Sequence, residues 1–457
     1  MKTTIHRRQF LARSSSAVAS GALGTALAVT APRSARAVSA NDRIVLAVIG
    51  IRGRGNKLAC DFAARDDCEV AYLCDVDSRL FESRSKAVAE RQDGRTPKCV
   101  QDFRRALEDK SVDAVVIATP DHWHALATVW SCQAGKDVYV EKPASHTPWE
   151  GRKMVEAARK YKRVVQLGTQ TRSAPYFMAA RKYIENGGLG KLYLCRVFNQ
   201  VPHTDPKMAE DSDPPKGLDW DMWNGPAPET RYNYTYWEHW NWFWRYSGGD
   251  IINNGVHQID MARHLCGVTY PKSVYSTGGR FHATGCADAP NTQIATFDFD
   301  NLVMTFELTW NTPYMLKVDP GVRNGDLFPY WLQCSTRVEI YGDEAVMFIG
   351  RVGGDWQVFV RTKNRKPVVK DQMYGRFPDD VHQENFIQCV RSRERPHADI
   401  LEGHLSTLLC QYANISYRLG GEKLIVDPKT ETFTNSPNGN QLLRREYRKP
   451  WVLEEQV

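Results

Sequence analysis

The sequence predicts an α/β protein in which a doubly wound parallel sheet is followed by an α+β region with a large, mainly antiparallel open sheet. Between residues 43 and 186, short β-branched runs alternate with helical stretches, a pattern typical of parallel strands joined by helices. After Gly190, strand candidates follow one another with few helices between them, as in antiparallel sheets. Roughly 420 residues after an N-terminal segment exceed one ordinary core, so two domains are expected.

The predicted first domain spans residues 41–187 and ends at Asn186-Gly187-Gly188. Its strand candidates are short and rich in β-branched residues, and helical spacing follows most of them. The predicted strands are 44–49, 69–74, 114–118, 138–141 and 164–167, and the predicted helices are 57–64, 79–91, 124–134 and 149–160.

The predicted second domain spans residues 188–420, and a C-terminal arm covers 421–457. The arm is polar with little periodicity, so we expect it to wrap an existing surface. The predicted strands are 192–200, 273–278, 293–299, 303–310, 337–341 and 356–360, and the predicted helices are 254–265, 381–391 and 402–419.

Residues 1–37 form a predicted targeting segment. It contains the twin-arginine motif around Arg7 and Arg8, an apolar stretch over 17–31 and the small residues of Ala35-Arg36-Ala37 at a cleavage site. The alternative is a membrane span, but about 15 apolar residues are too few to cross a bilayer. We therefore expect a cleaved twin-arginine signal peptide and a periplasmic protein.

The net charge gives no case for nucleic acid as a partner. Residues 1–37 hold six basic and no acidic side chains, so their removal lowers the formal charge from +7 to +1. The eleven cysteines are scattered without a Cys-x-x-Cys pair or zinc spacing, which indicates buried thiols rather than a disulfide framework. The mature chain is expected to have no membrane partner.

A glycine-rich turn follows the first predicted strand and precedes a helix, in the pattern G-x-x-G-x-G. Such glycines let the backbone approach a pyrophosphate, which rests on the helix N-terminus. Twenty residues later the second strand ends in Asp75, whose carboxylate suits two free ribose hydroxyls. The pattern predicts a dinucleotide-binding Rossmann domain with NAD as cofactor, although Arg79 leaves NADP open. The predicted contacts of the turn are Gly50, Ile51, Arg52, Gly53 and Gly55.

Lys142 lies in Glu141-Lys142-Pro143, directly after a predicted strand. Ligands of doubly wound sheets collect at the carboxyl ends of strands, so Lys142 can face the cofactor. It can donate to a substrate oxygen there and take the proton if burial lowers its pKa. The alternative is a solvated loop lysine.

The preceding strand ends at Thr119-Pro120, beside the expected cofactor, and His124 follows near a helix start. We predict that Thr119, Pro120 and His124 are cofactor neighbours. His122 and His124 suggest a metal pair, but no carboxylate or cysteine at metal spacing supports them, so no metal is predicted.

These motifs, together with Gly168-Thr169-Gln170, resemble those of the glucose–fructose oxidoreductase/inositol dehydrogenase/MocA family, in its exported twin-arginine-tagged branch, over residues 43–419. The resemblance implies a Rossmann domain followed by a β-sheet domain whose open face binds a sugar or polyol. It implies that Lys142 contacts both cofactor and substrate, and that Glu141 and Gln170 lie at the cofactor. We also expect a homo-oligomer, a dimer or tetramer, formed through the sheet domain.

A second stretch is similar to the family pattern G-G-x-x-x-D-x-G-x-H over Gly248–His257. By this resemblance His257 is the catalytic histidine, and a core-packing histidine is the alternative. Asn253 replaces the aspartate of the pattern, and an amide can hydrogen-bond a hydroxyl but cannot accept its proton. This departure weakens a plain dehydrogenase assignment unless Lys142 or His257 acts as the base alone.

Six of the thirteen tryptophans lie between Trp220 and Trp244. Aromatic faces suit the C–H faces of sugar rings, while packing against the sheet or another subunit is the alternative. We expect some rings to pack inward and others, with Asp250, to contact substrate; the predicted contacts are Trp240 and Trp242. Residues 203–228 form a long loop rich in Asp and Pro, which is typical of a lid.

The predicted function is an NAD(P)-dependent oxidoreductase acting on a CH–OH group of a sugar, glycoside or polyol, with Lys142 and His257 as acid–base residues and Asn253 beside them. The first alternative is an NAD-dependent glycosidase or lyase that oxidises the sugar, eliminates the aglycone and reduces the ring again. Export favours it, because free NAD is scarce outside the cytoplasm. The second alternative is a non-catalytic sugar-binding protein.

Overall fold

The first sheet consists of six parallel strands, in a computed structural model that describes residues 42–317, 320–324, 327–351 and 355–457. The strands are β1 (Ile44–Ile49), β2 (Cys68–Cys74), β3 (Lys98–Val100), β4 (Ala114–Ile117), β5 (Asp137–Val140) and β6 (Val165–Leu167). They lie in the order β3-β2-β1-β4-β5-β6, so the winding direction reverses between β1 and β4. Ligands of doubly wound sheets bind at this reversal, beyond the carboxyl ends of the strands.

Five helices accompany this sheet: α1 (Gly53–Ala63), α2 (Phe81–Ala89), α3 (Arg104–Leu107), α4 (Asp121–Gln133) and α5 (Pro148–Lys160). The next helix, α6 (Pro175–Glu185), packs into the core of the second sheet. Both faces of the sheet are buried, because alternate strand residues belong to two cores, Ala47 and Val115 to one and Leu46 and Val116 to the other. Helix α5 begins with a capping box between Thr147 and Glu150.

The second sheet has ten strands: β7 (Leu192–Asn199), β10 (Ser273–Gly279), β11 (Thr292–Asp298), β12 (Val303–Thr309), β13 (Arg337–Gly342), β14 (Val346–Gly350), β15 (Trp356–Arg361), β16 (Pro367–Met373), β17 (Leu424–Asp427) and β18 (Thr432–Phe433). Their order is β16-β15-β14-β13-β7-β12-β11-β10-β17-β18, and every neighbouring pair is antiparallel except β7 with β12. The predicted large, mainly antiparallel sheet is confirmed.

The remaining elements are β8 (Asp211–Ser212), β9 (Tyr232–Asn233), α7 (Trp220–Asn224), α8 (Tyr234–His239), α9 (Val256–Cys266), α10 (Pro320–Asn324), α11 (Asp379–Ser392), α12 (Ile400–Arg418) and α13 (Pro437–Gln441). A π-helical turn, Ile251–Gly255, leads into α9. Helices α9 and α12 pack on one face of the second sheet. The opposite face is open and exposes Tyr193, Tyr275 and Ile294.

Several short or exposed strands lie outside the predicted set, among them β3, β14, β16, β17 and β18. Strand β3 has three residues, and β16 is exposed along nearly its whole length, so neither shows a pattern of alternating burial. The predicted arm, 421–457, adds β17 and β18 to the sheet edge and buries Trp451 and Leu453 in a core of the first sheet.

The predicted signal peptide lies outside the described residues. Within the described ranges, no helix combines the length and apolar character that a bilayer span requires.

Candidate active site

A cavity of about 430 Å³ lies at the carboxyl ends of β1, β2 and β4, where the order of the strands reverses. The predicted cofactor residues among its lining are Gly50, Arg52, Gly53, Asp75, Thr119 and Pro120. They come from separate loops that the parallel sheet brings to one edge, as expected for a dinucleotide site.

The glycine-rich turn has the shape that a pyrophosphate requires. Gly50 has a φ of +81°, and a Cβ there would lie 2.8 Å from the carbonyl oxygen of Ala118. A Cβ on Gly55 would overlap the carbonyl of Gly50. A Cβ on Gly53 would meet nothing within 4 Å, and α1 begins there without a side-chain cap. The space and the N–H groups at this helix start therefore fit a pyrophosphate.

Asp75 is fixed by two backbone donors at the end of β2. The N–H groups of Ile51 and Asp77 donate to its two carboxylate oxygens at 2.8 and 2.9 Å. Burial raises the pKa of Asp75 to about 6, although these two donors act in the opposite direction. The carboxylate is thus ionised at neutral pH and oriented to accept hydrogen bonds from a ribose.

Arg79, the predicted candidate for a 2′-phosphate, is already paired. Its Nε and Nη2 donate to the two carboxylate oxygens of Asp77, both at 2.7 Å. This bidentate pair uses the face of the guanidinium that would otherwise receive a phosphate.

Aromatic residues cover the cavity from the opposite side. Trp237, Glu238 and Trp240 line it, and the guanidinium of Arg52 lies 3.9 Å from the ring centroid of Trp237. Arg52 also donates to Glu238 at 2.8 Å. The predicted long loop, 203–228, contributes Met222 and Trp223 to the same lining.

Lys142 follows β5 and reaches the π-helical turn of the second domain. Its Nζ donates to the backbone oxygen of Asn253 at 2.6 Å and to the Oδ1 of Asn253 at 3.1 Å. Burial lowers the pKa of Lys142, although the carboxylates of Asp121 and Glu141 act in the opposite direction. The peptide bond from Lys142 to Pro143 is cis.

His257 is 4% exposed, and among the described residues neither of its ring nitrogens has a hydrogen-bond partner. Burial and the nearby charges of Arg351 and Lys142 hold its pKa well below the usual range. The imidazole is therefore neutral at physiological pH and can accept a hydrogen bond.

The predicted catalytic residues lie on the helix-covered side of the second sheet. His257 is on α9, which packs on β7 and β13. The family resemblance implied a substrate on the open face, whereas Lys142, Asn253 and His257 lie on the other side of the sheet, so that part of the implied site stays a prediction. The physical reason is that these residues lie at the N-terminal end of α9, and α9 packs on the face of the sheet opposite the open one.

Three other predicted cofactor residues bind the protein itself. The ring nitrogens of His124 lie 2.7 Å from the carbonyl oxygen of Pro143 and 2.9 Å from that of Thr119. Glu141 accepts from Arg54 at 2.7 Å, and Gln170 donates to Glu141 at 3.3 Å. These contacts fix the loop ends that carry Thr119 and Lys142.

The predicted substrate contacts have different surroundings. Trp240 lines the cofactor cavity. Trp242 is buried, with its ring centroid 4.6 Å from that of Trp310. Asp250 is 1% exposed and accepts from Asn199 at 2.8 Å, while its Oδ1 is buried without a partner among the described residues.

Three charged residues near Lys142 are absent from the predicted set: Asp121, Lys317 and Arg351. Asp121 is buried, and the hydroxyl of Ser247 donates to it. The position of Asp121 directly after Thr119-Pro120 in the sequence could have identified it as a residue of the site. Arg351 and Lys317 follow strands without any local motif, so only the fold brings them to the site.

No cluster of three or more metal-ligating side chains was found in the part of the chain that the structure describes. All eleven cysteines are free, and seven of them are buried.

The fold and the cofactor cavity define an NAD-binding oxidoreductase of the Rossmann type. Three family models match the chain: an oxidoreductase family with an NAD-binding Rossmann fold over residues 44–169, a GFO/IDH/MocA C-terminal domain over 177–347, and an oxidoreductase-family C-terminal alpha/beta domain over 337–453. The chain belongs to the GFO/IDH/MocA oxidoreductase family, and its first domain is an NAD-binding Rossmann domain.

Among curated relatives, the myo-inositol 2-dehydrogenase of Thermotoga maritima is 26% identical over 49% of this chain and 54% of its own length. The D-glucoside 3-dehydrogenase of Escherichia coli is 26% identical over 50% of this chain and 56% of its own length. The chain thus spans little more than half the length of either relative.

Solved structures share the fold at lower identity. Levoglucosan dehydrogenase in complex with NADH and levoglucosan superposes with a TM-score of 0.60 at 19% identity, over 84% of this chain and 99% of that one. The WlbA dehydrogenase of Bordetella pertussis, in complex with NADH and UDP-GlcNAcA, gives a TM-score of 0.59 at 20% identity with the same coverage.

Proposed function

We propose that this protein is an NAD-dependent oxidoreductase that oxidises a CH–OH group of a sugar, glycoside or polyol. The observation that carries the proposal is the contact of Lys142 with Asn253, which brings a lysine of lowered pKa and a neutral His257 together beside the cofactor cavity. The names of the curated inositol and glucoside dehydrogenases support the substrate class.

When bound, NAD supplies the ring that accepts a hydride from the substrate carbon. Lys142 takes the proton of the reacting hydroxyl, because its lowered pKa leaves more of its amine unprotonated. The neutral imidazole of His257 donates its ring N–H to the oxygen of the same hydroxyl and orients it.

Asn253 suits this role of Lys142. A carboxylate at this position would pair with the ammonium of Lys142 and favour its charged form. The neutral Oδ1 of Asn253 holds the lysine at 3.1 Å without adding a charge. The replacement of the family's aspartate thus favours Lys142 as the base.

NAD is proposed over NADP because two carboxylates lie at the ribose end of the cavity. Asp75 opposes a 2′-phosphate by its charge, and Asp77 occupies Arg79. Calorimetry with NAD and NADP tests this choice, and equal affinities would contradict it.

A second candidate is the redox-assisted glycosidase in which NAD stays bound and is recycled. The cover formed by Trp237, Glu238 and Trp240 over the cofactor cavity favours retention of the cofactor. Mass spectrometry of denatured, purified protein measures bound NAD. Net NADH formation then supports the oxidoreductase, whereas aglycone release without net NADH supports the glycosidase, and neither activity supports a binding protein.

Export and assembly complete the proposal. The twin-arginine motif supports a periplasmic location, and replacement of Arg7 and Arg8 by Lys is expected to keep the protein in the cytoplasm. Normal export of that variant would contradict the assignment. The open sheet face with Tyr193, Tyr275 and Ile294 supports a homo-oligomer, which light scattering measures directly.

A further inference from the structure

Two cationic side chains donate hydrogen bonds to neighbouring residues of the π-helical turn, which lie about one helical turn before His257. Lys142 donates to Asn253, and the guanidinium of Arg351 donates to the Oδ1 of Asn254. Arg351 directly follows β14 and is only 9% exposed. Lys317, in the segment after β12, lies close enough to interact electrostatically with both cations. Positive charge is thus concentrated around the π-helical turn.

The carboxylates around this group have other partners. Glu141 and Asp379 both pair with Arg54, at 2.7 and 2.9 Å. Asp250 lies 3.3 Å from His203 and accepts from Asn199, and Asp121 accepts from Ser247. Within the described ranges, no carboxylate oxygen lies within 4.0 Å of the side-chain nitrogens of Lys142, Lys317 or Arg351.

Buried cations without a counterion are costly, so such groups are normally paired. Burial lowers the pKa of Arg351, and partial desolvation together with the charge of Arg351 lowers the pKa of Lys317, which is itself an exposed residue, to about 8. Among the described residues, no carboxylate forms an ion pair with either of these two cations. A ligand that brings a negative charge would remove this cost.

We propose that the substrate carries a carboxylate, which Arg351 and Lys317 bind while the reacting hydroxyl lies between Lys142 and His257. The substrate class is then a hexuronic acid or its glycoside rather than a neutral sugar. Asp250 acts on both Arg351 and Lys317, and Glu141 also acts on Arg351, so the positive charge is partly offset and matches a carboxylate better than a phosphate dianion. The inference rests on the proposed function and deepens it.

The test compares matched ligands on the purified protein with its bound NAD. Methyl glucuronide and methyl galacturonide are titrated against methyl glucoside and methyl galactoside by calorimetry, and absorbance at 340 nm follows NAD reduction. We expect at least one uronide to bind about 10- to 100-fold tighter than its neutral counterpart. Arg351→Gln and Lys317→Gln should remove this preference and leave the affinity for the neutral sugar nearly unchanged.

Lys370→Gln on the exposed strand β16 is the matched control and should keep the full preference. Lys317→Gln, at the more exposed of the two positions, keeps the test decisive if Arg351→Gln does not fold. Uronides that bind no better than the neutral sugars overturn the inference, as does an equal loss for both classes in Arg351→Gln. Tighter binding of glucose 6-phosphate than of either uronide overturns the choice of a carboxylate.

The two proposals fail separately. A uronide that binds with the predicted dependence on Arg351, yet is neither oxidised nor cleaved, would contradict the proposed function and support the anion site. A neutral sugar that is oxidised as well as any uronide would support the function and overturn the anion site.

Discussion

The cofactor side and the substrate side of this site are built in opposite ways. On the cofactor side, Gly50, Gly53 and Asp75 lie within one β-α-β unit, and short sequence motifs predict their role. On the substrate side, Lys142, His257 and Arg351 come from three distant parts of the chain, and the first and last of them are 209 residues apart. The comparison teaches that the residues of the cofactor side are encoded by local sequence, whereas those of the proposed substrate side depend on how the second sheet is placed.

The largest effect should come from the residue that joins the two sides. Lys142→Ala removes the proposed base, so the rate should fall about 10²–10⁴-fold while NAD stays bound. Steady-state kinetics and the absorbance of bound cofactor measure the two quantities. Lys110→Ala, at an exposed position of the first domain, should keep full activity. Full activity in Lys142→Ala would contradict the catalytic assignment.

A change confined to the cofactor side should affect NAD alone. Asp75→Asn should weaken NAD binding by about 10- to 100-fold, because a charged acceptor of the ribose is lost. In the wild type, NAD affinity should also fall as the pH drops through about 6, where the raised pKa of Asp75 allows its carboxylate to be protonated. Calorimetry between pH 5 and pH 8 tests both. The exposed Asp93→Asn is the control, and a flat pH profile in the wild type would contradict the role of Asp75.

Asn253→Asp sharpens the substrate side. The new carboxylate should raise the pKa of Lys142, so the increase of the rate with pH should occur at a higher pH than in the wild type. At pH values below the pKa of Lys142, each unit by which this pKa rises should lower the rate about tenfold. The activity at high pH should be preserved. The pH dependence of kcat/KM measures this shift, with the exposed Asn311→Asp as control. An unchanged profile would show that Lys142 is not the titrating base.

The smallest effect should appear at the cover. Arg52→Ala removes one cation–π contact and one partly exposed ion pair, so NAD should dissociate about 2- to 10-fold faster. Stopped-flow release of NADH measures the rate. The exposed Arg105→Ala should behave as the wild type. A large effect on sugar affinity instead would place Arg52 on the substrate side.

The extent of prediction from the sequence follows the same division. The alternation of strands and helices, the glycine turn and Asp75 predict the first sheet and the cavity, because βαβ units are local in sequence. The family pattern around His257 places Asn253 next to Lys142, as the hydrogen bonds of Lys142 show. The local sequence does not predict two contacts, the pairing of Arg79 with Asp77 and the hydrogen bond from Arg351 to Asn254, because both depend on side-chain geometry.

The cores of the first sheet have a consequence for the order in which the protein can fold during synthesis. Phe386 and Ile387 of α11 lie in one of these cores, and Trp451 and Leu453 lie in the other. Arg54, on α1, binds Asp379, also from α11. The nucleotide-binding half therefore leaves the ribosome first but completes its packing last, so a ribosome stalled before residue 379 would carry a half-built NAD site.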